Sequence, residues 1–171
     1  QISEVLDEIS KLSSSKKRLA STSKSGMISA HEFASLARLY KAGKSKGHRK
    51  VYESLELSQE NVARVLEIGI GTNDPSAPSS MGAKGRPGAS LFMWANFFGN
   101  ASIHGADVDK SSFVTAERIQ SHFVDQTSEK SLIQLRDNLE EIGVFDLVID
   151  DGLHTPEANL RSFRIMKDLL S

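Results

Sequence analysis

"VLEIGIG", residues 65 to 71, is the stretch on which the fold turns. Val65, Leu66 and Ile68 form a short apolar run suited to a strand covered on both faces, and Gly69 and Gly71 follow at once. Two glycines so placed let the backbone turn tightly and approach a ligand with no side chain between. The same strand pattern returns in "SIHGADV" (102–108), in the short "HFVDQ" (122–126) and in "VFDLVID" (144–150). Helical patterns alternate with these strands. "ASLFMWANFFG" (89–99) presents Leu91, Trp94, Ala95 and Phe98 as a sheet-facing stripe. "SFVTAERIQ" (112–120) is expected as the next helix, capped by Ser111 or Ser112. Leu132, Leu135, Leu139 and Ile142 mark a further helix ended by Gly143, and "TPEANLRSFRIMKDLL" (155–170) opens with Thr155 as cap and Pro156 at the first helical position.

Alternating strands and helices imply an α/β fold: a Rossmann-like, doubly wound parallel sheet with its ligand beyond the carboxyl ends of the strands. About four strands can be read, so the sheet is expected to be incomplete. Its "VFDLVI" edge needs more chain or a partner to cover it. The sequence starts at Gln1 without Met and stops at Ser171 inside a helical pattern, which reads as a fragment of a longer protein.

Ahead of the sheet, Ile2, Val5, Leu6, Ile9 and Leu12 share one face of an amphipathic helix. A second helix is set by a Ser29/Glu32 capping box with Ile28 and Phe33 as staple, and runs through Leu36, Leu39 and Tyr40 towards Gly43. Residues 1–46 are read as a helical appendage and 47–171 as the first part of a cofactor-binding domain. A lid, a dimerisation element giving a homo-oligomer, and plain scaffolding all remain open for those helices. The basic run from Arg38 to Lys50 reads first as a solvated connector, with an anionic contact as the alternative.

A formal charge of -1 gives no overall case for nucleic acid or a membrane surface. No apolar run is long enough for a membrane span, and a cytoplasmic protein is expected. With no cysteine, disulfides and thiolate chemistry are excluded, and any metal must be held by oxygen or imidazole.

The glycine pair alone does not choose a ligand. A nicotinamide dinucleotide would want a third glycine at position 74, where Asp stands, and a ribose acid about 20 residues on, whereas Asp107 lies much farther along. Glu67, two residues before Gly69, disfavours pyrophosphate and favours a cationic or amine-bearing ligand. S-adenosylmethionine has a sulfonium, an ammonium and no phosphate. Asp107 can accept from ribose hydroxyls, and Asp125 or Gln126 from or to the adenine. At the end of the fourth strand, Asp150, Asp151 and His154 gather around Gly152. A carboxylate and an imidazole there can share a cation, or His154 can take the proton of a substrate hydroxyl.

"VLEIGIG", "IHGADVD", "FVDQ" and "FDLVIDDGLH" together resemble the class I S-adenosylmethionine-dependent methyltransferases, and within them the metal-dependent sugar O-methyltransferases that modify macrolides. The resemblance covers about residues 47 to 170. It implies Glu67, Gly69 and Gly71 beside the methionine part, Asp107 beside the ribose, and Asp125 with Gln126 beside the adenine. Its "DDGSH" motif implies Asp151 as a magnesium ligand and His154 as general base, with Leu153 replacing the usual Ser. A further acidic pair completing the metal site is implied after a fifth strand, beyond Ser171. The expected activity is therefore methyl transfer to a hydroxyl of a sugar-like or natural-product acceptor, assisted by Mg2+. A nicotinamide-dependent oxidoreductase and a non-catalytic binding or assembly protein are the alternatives.

Overall fold

The computed structural model describes residues 30–42 and 61–170. The amphipathic helix of residues 2–12, the Ser29 cap, the basic run beyond Ala42 and the lead-in around Tyr52 and Leu55 lie outside them, as does the boundary at residues 46 and 47. The described elements are α1 (Ala30–Tyr40), β1 (Arg64–Ile68), α2 (Ala89–Phe97), β2 (Ser102–Asp107), β3 (Ile119–Phe123), α3 (Glu129–Glu140), β4 (Leu147–Asp150) and α4 (Pro156–Met166). Among them, no helix is long and apolar enough to cross a membrane.

The four strands are parallel in the order β3-β2-β1-β4. The chain winds outward from β1 through β2 to β3, then returns to place β4 on the other side of β1. That reversal opens a crevice at the carboxyl ends between β1 and β4, where neighbouring loops diverge. β4 is the edge strand among the described residues, and Leu170 forms an isolated parallel bridge with Phe145 just before it.

Strand alternation separates two cores. Val65, Ile103, Leu147 and Ile149 face α2, while Leu66, Ile68 and Ala106 face α3 and α4 with Leu132, Leu135, Leu139 and Met166. The expected α2 stripe of Leu91, Trp94, Ala95 and Phe98 is buried, but so are Met93 and Phe97, because α1 covers the opposite side. Phe33 of α1 packs on Trp94 and Phe97, and Tyr40 Oη accepts a hydrogen bond from Asn96. The described part of the N-terminal segment is thus built into the core. Leu39 falls off that face and is exposed.

The expected helix over "SFVTAERIQ" is not formed. A 3-10 turn at Lys110–Ser112, capped by Asp109, leads into extended chain, and β3 begins at Ile119, earlier than the "HFVDQ" reading placed it. The reason is tertiary: Arg118 reaches the C-terminal end of α2, donating to the carbonyls of Ala95, Phe98 and Ala101 at 2.6, 3.1 and 2.8 Å. Ala95 belongs to the last turn of α2, whose carbonyls lack a following helical N–H, and the guanidinium supplies a donor there and to the chain just beyond it. Ser121 ties down Val114 through both its amide and its carbonyl. α3 is capped by Ser128, and α4 by Thr155 with Pro156 at its start, the latter as expected. Ile142, expected on the α3 stripe, lies past the helix end and is exposed.

Candidate functional site

A cavity of about 360 Å³ opens at the carboxyl ends of the strands. This is within the range of small-molecule sites. Gly69, Gly71, Asp107, Asp125, Gln126, Asp151 and His154 all line it. Strand parity and the loops after β1, β2, β3 and β4 bring together residues that are 85 positions apart from Gly69 to His154 (154 − 69).

Gly69 and Gly71 adopt φ of 84° and 90°, in the left-handed region that glycine favours. Their missing side chains also make room for the protein itself. A Cβ at Gly69 would lie 2.4 Å from Gly152 Cα, and one at Gly71 would lie 2.3 Å from Met81 Sδ. The turn after β1 is therefore packed directly under the loop after β4.

Asp107 is fixed by two backbone donors, the amide of Ile70 at 2.9 Å to one carboxylate oxygen and that of Asp109 at 3.0 Å to the other. Each oxygen keeps a further acceptor site, which suits a pair of neighbouring hydroxyls. Asp125 Oδ1 accepts from the amide and hydroxyl of Thr127 at 2.8 and 2.6 Å, which orients its carboxylate at the cavity wall. Asp151 and His154 approach to 3.6 Å between Oδ1 and Nε2, with the imidazole more exposed than the carboxylate. His154 is held at φ 55°, unusual for a residue with a side chain.

Glu67 does not stand where the sequence reading put it. It is 0% exposed, does not line the cavity, and accepts a hydrogen bond from the indole N–H of Trp94 at 3.2 Å. The physical reason is its depth along the strand. Glu67 shares the α2-facing side of β1 with Val65 and lies one residue before the strand's end, so α2 closes over it. Asp150 serves as a strand-end acceptor, taking bonds from Gln126 and from the amide of Gly152. His104 is a packing histidine with a partner that the sheet register supplies: its Nδ1 lies 2.9 Å from His122 Nε2. Burial, with His122 and Arg64 adding to it, lowers the His104 pKa to about 4.

The segment from Thr72 to Gly88 is long for a connection between a strand and a helix. It is a folded excursion, held by Met81 N–H to Thr72 O, Asn73 to Gly85 O and Gly88 N–H to Ile70 O. Thr72 also donates to Asp109, and hydrogen bonds from Ser111 and then Thr72 hold the Asp109 carboxyl below its usual range. These ties bring Ser79, Met81 and Arg86 to the cavity wall. Asn73, Asp74 and Lys84 of the same segment are not in that wall.

Among the described residues there is no group of three or more metal-ligating side chains. Asp151 offers one carboxylate beside His154 and nothing further completes a cation site there. Mg2+ is commonly held by one or two carboxylates with waters, so Asp151 matches one part of such a site and the described residues do not make the whole.

No family model matches this chain. Its homologues are macrolide and sugar O-methyltransferases. It is 33% identical over 112 residues to the L-olivosyl-oleandolide 3-O-methyltransferase of Streptomyces antibioticus, covering 66% of this chain and 26% of that protein. It is 36% identical over 103 residues to the demethylmacrocin O-methyltransferase of Streptomyces fradiae, covering 60% and 23%. The chain thus spans about a quarter of the length of these relatives. The fold matches that of the MycE methyltransferase of the mycinamycin biosynthetic pathway, solved in complex with Mg and SAH. The TM-score is 0.66 at 28% identity, over 82% of this chain and 37% of that one.

Proposed function

We propose that this chain carries the cofactor-binding part of an S-adenosylmethionine-dependent O-methyltransferase acting on a hydroxyl of a sugar-like or natural-product acceptor. The observation that carries the reading is the single cavity onto which Asp107, Asp125 and Asp151 converge beside the glycine turn. Three carboxylates in one wall suit a sulfonium and an ammonium and disfavour a pyrophosphate, which argues against the nicotinamide alternative. The ribose hydroxyls pair with Asp107, whose orientation is already fixed, and the adenine lies towards Asp125.

His154 takes the role of general base. As the acceptor oxygen attacks the methyl carbon in line, the carbon–sulfur bond breaks, an oxygen–carbon bond forms, and the hydroxyl proton passes to the imidazole. The sulfur leaves as a neutral thioether, so the base has only the alkoxide to stabilise. A MycE structure contains Mg, SAH and Mycinamycin VI together. By analogy, a divalent ion here would use Asp151 as one ligand and lower the cost of alkoxide character in the acceptor. A cytoplasmic location and a small-molecule acceptor belong to the same reading.

Calorimetric titration tests it. Saturable binding of S-adenosylhomocysteine, weakened by Asp107→Ala, with no binding of NAD, is the expected result. Saturable binding of NAD alone would defeat the proposal.

A further inference from the structure

Gln126 was expected to contact adenine beside Asp125. Its surroundings point elsewhere. The side-chain amide is 6% exposed as part of a buried residue, and its Nε2 donates to Asp150 Oδ1 and to Ser162 Oγ, each at 2.9 Å. Its Oε1 accepts the backbone N–H of Leu153 at 2.9 Å. Both amide hydrogens and one carbonyl lone pair are thereby committed to the protein.

We propose that Gln126 is a positioning residue that latches the Asp151–His154 loop onto the cofactor wall, and that it does not read the base. The inference rests on the methyltransferase reading for what the loop does, but the latch itself is a matter of contacts. Leu153, whose amide Gln126 holds, sits between Asp151 and His154 in the chain. The fit is close enough to demand glycine opposite: a Cβ at Gly152 would lie 1.8 Å from Gln126 Oε1. Gly152 in turn fills the space left by the absent side chain of Gly69. Arg161 on α4 holds the latch from behind, donating to the carbonyls of Gln126 and Thr127 at 2.9 and 3.2 Å. Ser162, one residue on, receives the second amide hydrogen and is itself buried. The turn after β1, the loop after β3 and the loop after β4 are thus joined as one unit. A shift of Gln126 moves Leu153, and with it the two residues that flank the Gly152–Leu153 pair. A side chain with this role acts through Asp151 and His154 and touches no reacting atom.

The test uses Gln126→Ala and Gln126→Glu in the 171-residue chain, reading amide exchange at Leu153 and calorimetric binding of S-adenosylhomocysteine. Gln126→Ala is expected to lower the Leu153 protection factor on the order of tenfold, the effect of one lost hydrogen bond, with affinity for S-adenosylhomocysteine kept within about threefold. Gln126→Glu sets a second carboxylate against Asp150. Near pH 8 the two repel and Leu153 protection falls. Should Gln126→Ala fail to fold, Gln126→Glu near pH 8 decides the matter. Unchanged Leu153 protection in Gln126→Glu near pH 8 overturns the latch. So does a tenfold loss of S-adenosylhomocysteine affinity with protection intact, which would make Gln126 a base reader. If the unsubstituted chain binds no S-adenosylhomocysteine, the function proposed above fails, while Leu153 protection still decides the latch.

Discussion

Acidifying the solvent from pH 7.5 to pH 4.5 is expected to destabilise the fold through His104, and the size of the effect can be worked out. His104 is almost fully buried on β2, with Ser102 Oγ 3.0 Å from Nε2, His122 Nε2 2.9 Å from Nδ1, and the edge of Phe145 packed against its ring. A bond between two imidazole nitrogens needs one N–H and one bare nitrogen, so the arrangement fits the neutral pair. Arg64, the cation acting on His104 from β1, opposes a further positive charge. Burial, His122 and Arg64 together lower the His104 pKa from 6.5 to about 4.

The unfolded chain therefore binds this proton more readily than the folded one between those two values. Stability from this group is complete above pH 6.5 and is lost as pH falls towards 4. The full gap corresponds to roughly 3 kcal/mol, of which about 2.5 kcal/mol would be expressed at pH 4.5. His122 is only half-buried and lines a shallow cleft, so water screens the pair. A loss of about 1–2.5 kcal/mol is accordingly expected. Urea unfolding at both pH values, in the unsubstituted chain and in His104→Asn, isolates it. Asn keeps a polar atom towards His122 but does not titrate. The variant is less stable at pH 7.5, and its further drop at pH 4.5 is smaller by that amount. Equal drops in the two proteins, or an imidazole titration by NMR that protonates His104 above pH 6, would refute the reasoning.

Three other substitutions probe the site and its support. Arg118→Ala leaves the carbonyls of Ala95, in the last turn of α2, and Ala101, just beyond it, without their guanidinium, and a loss of about 2–3 kcal/mol is expected in urea unfolding; Arg118→Lys recovers less than half, since an ammonium lacks the planar fork. Gly69→Ala puts a methyl against the Gly152 backbone at a positive φ, so stability falls by at least about 2 kcal/mol and S-adenosylhomocysteine binding by on the order of tenfold. A variant that unfolds at the same urea concentration as its parent would show that the two loops are not packed as described. Glu67→Gln retains an acceptor for Trp94 outside the cavity wall, and calorimetry should find S-adenosylhomocysteine affinity within about threefold of the parent. A tenfold loss would mean that the buried charge acts on the ligand through the intervening backbone.

Much of the architecture was legible because it depends on local pattern. Val65 to Ile68, Ile103 to Ala106 and Leu147 to Ile149 are apolar runs that form strands wherever both faces are covered, and Thr155 with Pro156 specifies a helix start within a few residues of chain. The segment around Arg118 was misread for the complementary reason. Its composition allows a helix, but a long-range bond to α2 and the pairing of Ile119 with Ile103 hold it extended.

The sequence by itself determined the parallel α/β fold, the glycine turn and the set of acids at the strand ends, since period, spacing and residue type carry that information over short distances. Which of those acids share a cavity was decided only by tertiary structure. Glu67 and Asp107 share one face of the sheet, but Glu67, paired with Gly105 one residue inside β1, is covered by α2, whereas Asp107 ends β2 two residues further on and reaches the cleft. The same holds for Gln126, whose amide is claimed by Asp150, Leu153 and Ser162. Those partners stand 24, 27 and 36 positions away, and only folding sets them within hydrogen-bonding reach.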